Sequence, residues 1–300
     1  MALLPISAVY AAIVNLRLKL TASSQVAVPV ICVGNLVMGG AGKTPTVIAL
    51  AKYLQSKGLS PHILSRGYKA HVSGPTLVDL AHHSAHEVGD EPLLLSRTAP
   101  TWVYKDRVAS AHAAIEAGAD ILIMDDGFQN PSLYKDMSLV VVDGKQGFGN
   151  GRVFPAGPLR EYPSRGLARA DAVVLLGKDE HGFSFPKPVL KGQLKAVNPK
   201  AGRVLAFTGL GFPEKFYQTL RDQGYEIVDT ESFPDHHPYT NVEILQLIES
   251  ARGHTARLIT TEKDMVRMPL ELRSQIETLD IWLEFEHINL LDDLLRKFNS

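Results

Sequence analysis

The chain has 300 residues, of which 45% are hydrophobic and 21% charged, with a single cysteine, Cys32. That balance excludes wholesale disorder, and one thiol excludes an internal disulfide framework and points to a reducing compartment. The formal net charge of -1 conceals a division: residues 1–78 hold seven Lys and Arg and no Asp or Glu, while the remainder holds 24 basic and 32 acidic residues. An amino-terminal part of that sign suits an anionic partner, whether phosphates, a nucleic acid or a membrane surface.

In chain order, residues 2–14 are apolar except for Ser7, and Arg17 and Lys19 follow. As a helix this run reaches about 20 Å, short of the ~30 Å hydrocarbon core of a bilayer. No basic residue precedes it, so it does not read as a secretory signal. Two readings stay open. One is a helix buried on the main domain, with Pro5 in its first turn. The other is an interfacial anchor whose Arg17 and Lys19 meet anionic headgroups.

The strongest local signal follows. A β-branched run near 28–33 predicts a buried parallel strand. It leads into Gly39-Gly40-Ala41-Gly42-Lys43-Thr44 and then an amphipathic helix over 43–57, ended by Gly58. Strand, glycine-rich loop, Lys-Thr and helix form a phosphate-binding loop. Its backbone N–H groups and helix N-terminus are expected to face the phosphates, Lys43 to reach the β- and γ-phosphates of ATP and Thr44 to ligate Mg²⁺. The usual first glycine of such a loop is replaced by Val37, which shifts the flexibility toward the lysine. A carboxylate for Mg²⁺ is expected at a neighbouring strand end, and Asp125 and Asp126 close the apolar run 120–125 there. Gly127 is the residue expected to turn both toward a metal, with Gln129 aligning a phosphate or a metal-bound water.

Other clusters carry chemistry-capable side chains. Asp90 and Glu91 open a helix near 92–98, where caps are the ordinary role of carboxylates. Ser65-Arg66-Gly67-Tyr68 ends a strand near 61–65, at the ligand-binding edge of an open α/β sheet. Arg160 and Glu161 close a Gly- and Pro-rich loop, either reaching toward a phosphate or metal or simply joining strands. Asp235-His236-His237, bounded by prolines, suits a general base and its orienting partner. Adjacent histidines with one cysteine in the chain and no HExxH spacing disfavour zinc. His82-His83 reads as solvated surface. Thr261-Glu262-Lys263-Asp264 has the wrong order for a guanine-reading motif, so GTP is not inferred.

Further strands are expected near 138–143 and 171–176 and a helix near 107–118, giving an α/β fold with a doubly wound, mostly parallel sheet. A second, smaller α/β set is expected from strands near 203–208, 225–229, 257–261 and 280–284 and helices near 212–223 and 240–252. The resulting division is an amino-terminal apolar helix (1–20), a phosphate-loop domain (21–177), a Pro- and Lys-rich linker (178–200) and a carboxy-terminal lobe (201–300). A last amphipathic helix near 289–299 is free to pack on either half, and the active site is expected between the lobes.

Seven motifs, in order, resemble the lipid A 4′-kinase (tetraacyldisaccharide 4′-kinase) family over nearly the whole chain. They are GNLVMGGAGKTP (34–45), SRGY (65–68), VGDEP (88–92), DDGFQ (125–129), FPAGPLRE (154–161), FPDHHPY (233–239) and TEKD (261–264). The resemblance implies ATP-dependent phosphorylation of the 4′-hydroxyl of an acylated glucosamine disaccharide 1-phosphate, giving lipid IVA. It places the enzyme as a peripheral protein on the cytoplasmic face of a Gram-negative inner membrane. It implies Lys43 and Thr44 on ATP and Mg²⁺, with Glu91, Asp125, Asp126, Gln129 and Glu161 binding or ordering the metal and Arg160 near the nucleotide. It also implies Asp90 as the base and His236, rather than His237, as its partner. The partners expected are the lipid substrate and an anionic membrane surface, with no nucleic acid and no obligate protein partner. The rival reading from the phosphate loop is a variant switch ATPase that gates a partner interaction, against which Met38 stands where dimeric switches commonly carry lysine.

Overall fold

The computed structural model describes residues 3–68, 70–197 and 199–298. Lys69, one of the seven amino-terminal cations, lies outside the described residues, as do Ala2 of the apolar run and Asn299 of the last expected helix. The first half alternates strands and helices: α1 (Leu4–Leu20), β1 (Val30–Asn35), α2 (Lys43–Ser56), β2 (Pro61–Ser65), β3 (Thr76–Leu77), α3 (Ala85–Val88), α4 (Asp90–Ser96), β4 (Thr101–Val103), α5 (Arg107–Glu116), β5 (Ile121–Asp125), β6 (Met137–Asp143), α6 (Pro163–Arg169) and β7 (Ala172–Leu176). β8 (Val189–Ala196) follows, and then the second half runs β9 (Gly202–Thr208), α7 (Pro213–Asp222), β10 (Tyr225–Ser232), α8 (Asn241–Gly253), β11 (Arg257–Thr261), α9 (Glu262–Met265), β12 (Glu277–Leu279), β13 (Ile281–Phe285) and α10 (Ile288–Leu295).

Nine strands form the larger sheet in the order β13-β8-β7-β6-β1-β5-β2-β4-β3. It is parallel apart from β3 and β13, which run antiparallel to β4 and β8. β1 lies between β5 and β6, both parallel to it, and all six of its residues are buried. A strand covered on both faces must be apolar throughout, which is why VICVGN carries no alternation. Ile31 and Val33 pack with Val47, Leu50 and Leu54 of α2 on one face. Val30 and Cys32 pack with Ala111 and Ala114 of α5 on the other. From β1 the chain moves to one side to form β2 and β4, returns to lay β5 between β1 and β2, and then crosses to β6 on the other side, so the winding reverses at β1. Ligands of open α/β sheets bind outside the carboxyl ends of strands at that point.

The second sheet has the order β10-β9-β11-β12 and is parallel. α8 covers one face through Ile244, Leu247 and Ile248, and α7 covers the other through Phe216 and Leu220.

Two expectations change. The segment 178–200, expected as a linker, contains β8, which pairs with β7 through Val173↔Val189 to Leu176↔Gly192. Its buried Leu190 and Gly192 alternate with exposed Lys191 and Gln193, so one solvated face gives the strand a linker's composition. The strand expected near 280–284 is not part of the second sheet. It is β13, paired with β8 from Ile281↔Ala196 to Phe285↔Gly192. The last helix settles on the first half, where Leu291 and Leu295 join the core of Leu54 and Ile121.

Candidate active site

β1 delivers the chain to the phosphate loop with close tolerances. Gly42 stands at φ +90°, and a Cβ there would fall 2.2 Å from Leu176 Cδ1. Glycine therefore serves both the left-handed turn into α2 and the approach to β7. The Thr46 hydroxyl donates to the Gly42 carbonyl at 2.9 Å, fixing the first turn. Lys43 projects from that turn, with Nζ 3.7 Å from Asp126 Oδ1. Phe212, from the second half, reaches over the loop, its Cε2 3.8 Å from where a Gly39 Cβ would lie.

The strand-end aspartates separate by a turn at a different residue from the one expected. Asp126 itself adopts φ +50°, a left-handed conformation that aspartate tolerates better than most residues. Gly127 is needed instead for space, since a Cβ there would lie 1.8 Å from Met124 Sδ. The result is two unlike carboxylates. Arg160 forks onto Asp126 with contacts of 2.8 and 3.1 Å. Burial pushes the Asp126 carboxyl up, but Lys43 and Arg160 outweigh it and hold it below the usual range. Asp125 is buried, and desolvation followed by the neighbouring charges of Glu91 and Asp126 pushes it up to about 7. Beneath it Arg107, 2% exposed, donates to the Asp125 carbonyl at 2.9 Å.

Gln129 donates to the Asn35 carbonyl and to Glu161 Oε1, both at 3.0 Å. Arg169 grips the same Glu161 oxygen at 2.5 Å. Arg160 and Glu161, adjacent in sequence, thus take different roles: Arg160 lines the cleft, and Glu161 stands behind its wall as the anchor of Gln129.

Asp90 begins α4 in the first half, and three donor atoms from the second half meet on one of its oxygens. His236 Nδ1 lies 2.9 Å from Oδ2, and Arg267 reaches the same oxygen through Nε at 3.0 Å and Nη2 at 2.5 Å. Burial raises the Asp90 carboxyl, yet the charges of Arg267 and then His236 hold it below the ordinary carboxylate range. An ionised carboxylate only accepts, so His236 Nδ1 carries the proton in this contact. His236 sits at φ +63°, a strained conformation of the kind that clusters at functional sites. The neighbouring His237 turns away, with Nε2 3.1 Å from Glu243 Oε1 and its ring stacked on Phe233. Glu91 is paired with Lys263 at 2.6 Å.

These groups line one cleft of about 1860 Å³ between the halves, with the phosphate loop, Asp90, Glu91, Asp125 and Asp126 on one side and His236, Lys263 and Arg267 on the other. Mg²⁺ fits this donor set. The Asp125 carboxyl is crowded by Glu91 and Asp126, a divalent cation relieves such crowding, and all the oxygens are hard donors. Thr44, Asp125, Asp126 and Glu91 are the residues that would hold it.

The motifs had marked Lys43, Asp90, Asp126, Gln129, Arg160 and His236, and the fold brings these to one cleft. Lys263 lies in the TEKD motif but carried no role in the sequence reading, and Arg107, Arg169 and Arg267 were missed. Lys263 and Arg267 stand four residues apart along and just beyond α9, the spacing of one helical face, and that was the available signal.

Comparison with known proteins agrees with this arrangement. The sequence profile of the family described as Tetraacyldisaccharide-1-P 4′-kinase matches residues 1–299. A tetraacyldisaccharide 4′-kinase of Rhodospirillum centenum is 50% identical over 98% of this chain and 90% of its own. That of Paramagnetospirillum magneticum is 49% identical over 97% of this chain and 93% of its own. The crystal structure of LpxK from Aquifex aeolicus in complex with ATP superposes with a TM-score of 0.83 at 30% identity, covering 100% of this chain and 99% of that one. The chain belongs to the tetraacyldisaccharide 4′-kinase family.

Proposed function

We propose that the cleft transfers the γ-phosphoryl group of ATP to the 4′-hydroxyl of a tetraacyldisaccharide 1-phosphate, with Asp90 accepting the hydroxyl proton. The observation that carries the reading is the placement of the Asp90–His236 pair in the same cleft as the phosphate loop. Backbone N–H groups of 39–44 and Lys43 would hold the β- and γ-phosphates, with Arg160 beside them. Mg²⁺, held by Thr44, Glu91, Asp125 and Asp126, would supply positive charge to the phosphoryl oxygens when bound. As the acceptor oxygen bonds to phosphorus and the bond to the ADP leaving group breaks, the acceptor proton passes to Asp90. A carboxylate of depressed basicity suits this task, because in a loose transition state the proton leaves late, when the oxygen is already acidified by phosphorus.

α1 supplies the acceptor's setting. Its apolar Leu4, Ile6, Val9, Ile13, Leu16 and Leu20 are exposed, and only Ser7 and Ala11 of the helix are buried. Among the described residues no helix is long and apolar enough to cross a membrane. Of the two readings open from the sequence, this exposure supports the interfacial anchor, with Arg17 and Lys19 at the headgroups of the cytoplasmic leaflet.

The test is transfer of labelled γ-phosphate from ATP to the purified disaccharide 1-phosphate. Transfer by the wild type and its loss in Lys43→Ala are expected. Acceptor-independent turnover with no labelled lipid would instead favour a switch ATPase.

A further inference from the structure

The two oxygens of Asp90 are not equivalent. Oδ1 accepts the N–H of Glu91 at 3.0 Å. Oδ2 is filled by His236 Nδ1, Arg267 Nε and Arg267 Nη2. The guanidinium is itself built in, its side chain only 4% exposed. Its third nitrogen, Nη1, donates to the Gly209 carbonyl at 3.0 Å and to Asp264 Oδ1 at 3.2 Å. Asp264 is fully buried and is fixed in turn by Thr208 Oγ1 at 2.7 Å, Thr261 Oγ1 at 2.6 Å, Tyr239 Oη at 2.9 Å and the Gly209 N–H at 2.9 Å. The chain of contacts therefore starts in the core of the second half and ends on a carboxylate of the first.

We infer that Arg267 is a positioning residue for phosphoryl transfer: it locks Asp90 through Oδ2 so that Oδ1 is the oxygen presented to the acceptor hydroxyl. The inference rests on the reading of Asp90 as proton acceptor. Two guanidinium donors converging on Oδ2 from a rigid, built-in plane, with His236 as a third, pin that oxygen and leave Oδ1 as the less occupied end of the carboxylate, which the single point charge of an ammonium does not do. Rotation of the Asp90 carboxylate breaks three contacts at once, so the group keeps one orientation while both halves are in place. The phosphate loop and Asp90 belong to the first half, and Arg267, Asp264 and His236 to the second. Proton acceptance is thereby tied to closure of the halves, and a partly open cleft holding ATP has a carboxylate that is not aimed. That arrangement disfavours transfer to water before the lipid hydroxyl is enclosed.

A double-mutant cycle tests this. Labelled transfer to the disaccharide 1-phosphate is measured for the wild type, Arg267→Lys, Asp90→Asn and the double variant, each checked for folding by thermal melting. Arg267→Lys is expected to lower kcat by about 10²-fold, the lower end of what a positioned proton acceptor contributes, with KM for ATP little changed. In the Asp90→Asn background the same substitution should cost nothing further, since its route of action is gone. A structural role would instead reduce both backgrounds by the same factor, and that outcome overturns the inference. So does near-normal kcat in Arg267→Lys. Near-normal turnover of Asp90→Asn alone marks failure of the base assignment, a separate result. Should Arg267→Lys melt early, Arg267→Ala assayed with and without guanidinium ion replaces it. Recovery by guanidinium but not by equal NaCl supports positioning, and no recovery overturns it.

Discussion

Asp90 faces the reaction with most of its hydrogen-bonding capacity already used, so its removal should affect chemistry more than nucleotide binding. Asp90→Ala is expected to lower kcat by about 10²–10⁴-fold while equilibrium binding of ATP, held by the loop around Lys43, stays close to wild type. Steady-state transfer and a direct ATP titration together check it. How far these residues are legible in sequence depends on how local their partners are. Lys43 and Thr44 announce themselves because glycine spacing and the helix start are adjacent in the chain. Arg267 does not, because its partner Asp90 is 177 residues away and the local hint is no more than its four-residue spacing from Lys263. For the doubled His236-His237 the residues alone left the choice open and the family resemblance pointed to His236, which is the ring that meets Asp90. Away from the cleft, His62 gives a pH prediction. It is buried, and its Nδ1 accepts the Trp102 indole N–H at 3.2 Å. Burial holds its pKa below the ordinary histidine value. Below that ordinary value the unfolded chain therefore binds more protons than the folded one, and stability falls as pH falls. Melting followed by tryptophan fluorescence between pH 7 and pH 5 should show this loss, and His62→Gln should flatten that slope.

Elements repeat the pattern: those with two buried faces or a sharp cap are readable alone, and those defined by their neighbours are not. β1, β2, β5 and α2 match their expected positions to within a few residues, since an apolar run or glycine punctuation sets them locally. β8 reads as linker because its outward side chains are polar, and only the ladder to β7 identifies it. β13 follows the second half in sequence yet completes the first sheet through β8. α10 shows its amphipathic spacing in sequence, but not which half it would cover. Leu291 is fully buried against the α2 face of the larger sheet. Leu291→Ala therefore leaves a cavity in the core of the first half, with an expected loss of about 2–5 kcal/mol. Urea unfolding should show a lower midpoint. A change under 1 kcal/mol would mean that α10 is peripheral to that core rather than part of it.

At the scale of the whole molecule, the charge division acquires a direction. Of the cations of residues 1–78, Lys43 lies at the ATP loop, Arg66 at the ligand edge of the sheet and Arg17 and Lys19 on α1, while Lys52 and Lys57 belong to α2 and its end. The same cleft that holds Lys43 is lined by Tyr10, Val14 and Arg17 of α1. The helix is held to the body by few contacts, including Ser7 Oγ accepting the Ala156 N–H at 3.1 Å and Tyr10 packed edgewise on Phe154. Its remaining apolar surface is larger than scattered exposure would explain. On the proposed reading, laying this helix on a bilayer would bring the cleft mouth to the surface that carries the acylated acceptor, and the lipid head would enter without its chains leaving the membrane. Val9 and Ile13 are 59% and 62% exposed and touch little of the protein, so Val9→Glu with Ile13→Glu should leave the fold intact. Burying two such side chains is worth about 1.5–3 kcal/mol each, so losing both predicts well over tenfold weaker binding to vesicles containing phosphatidylglycerol. Wild-type binding should also fall as NaCl rises from about 0.05 to 0.5 M, because Arg17 and Lys19 are then screened from the anionic headgroups. Vesicle flotation reads both effects. Unchanged binding in the double variant would remove α1 as the anchor, and salt-independent binding would remove its two cations from the contact.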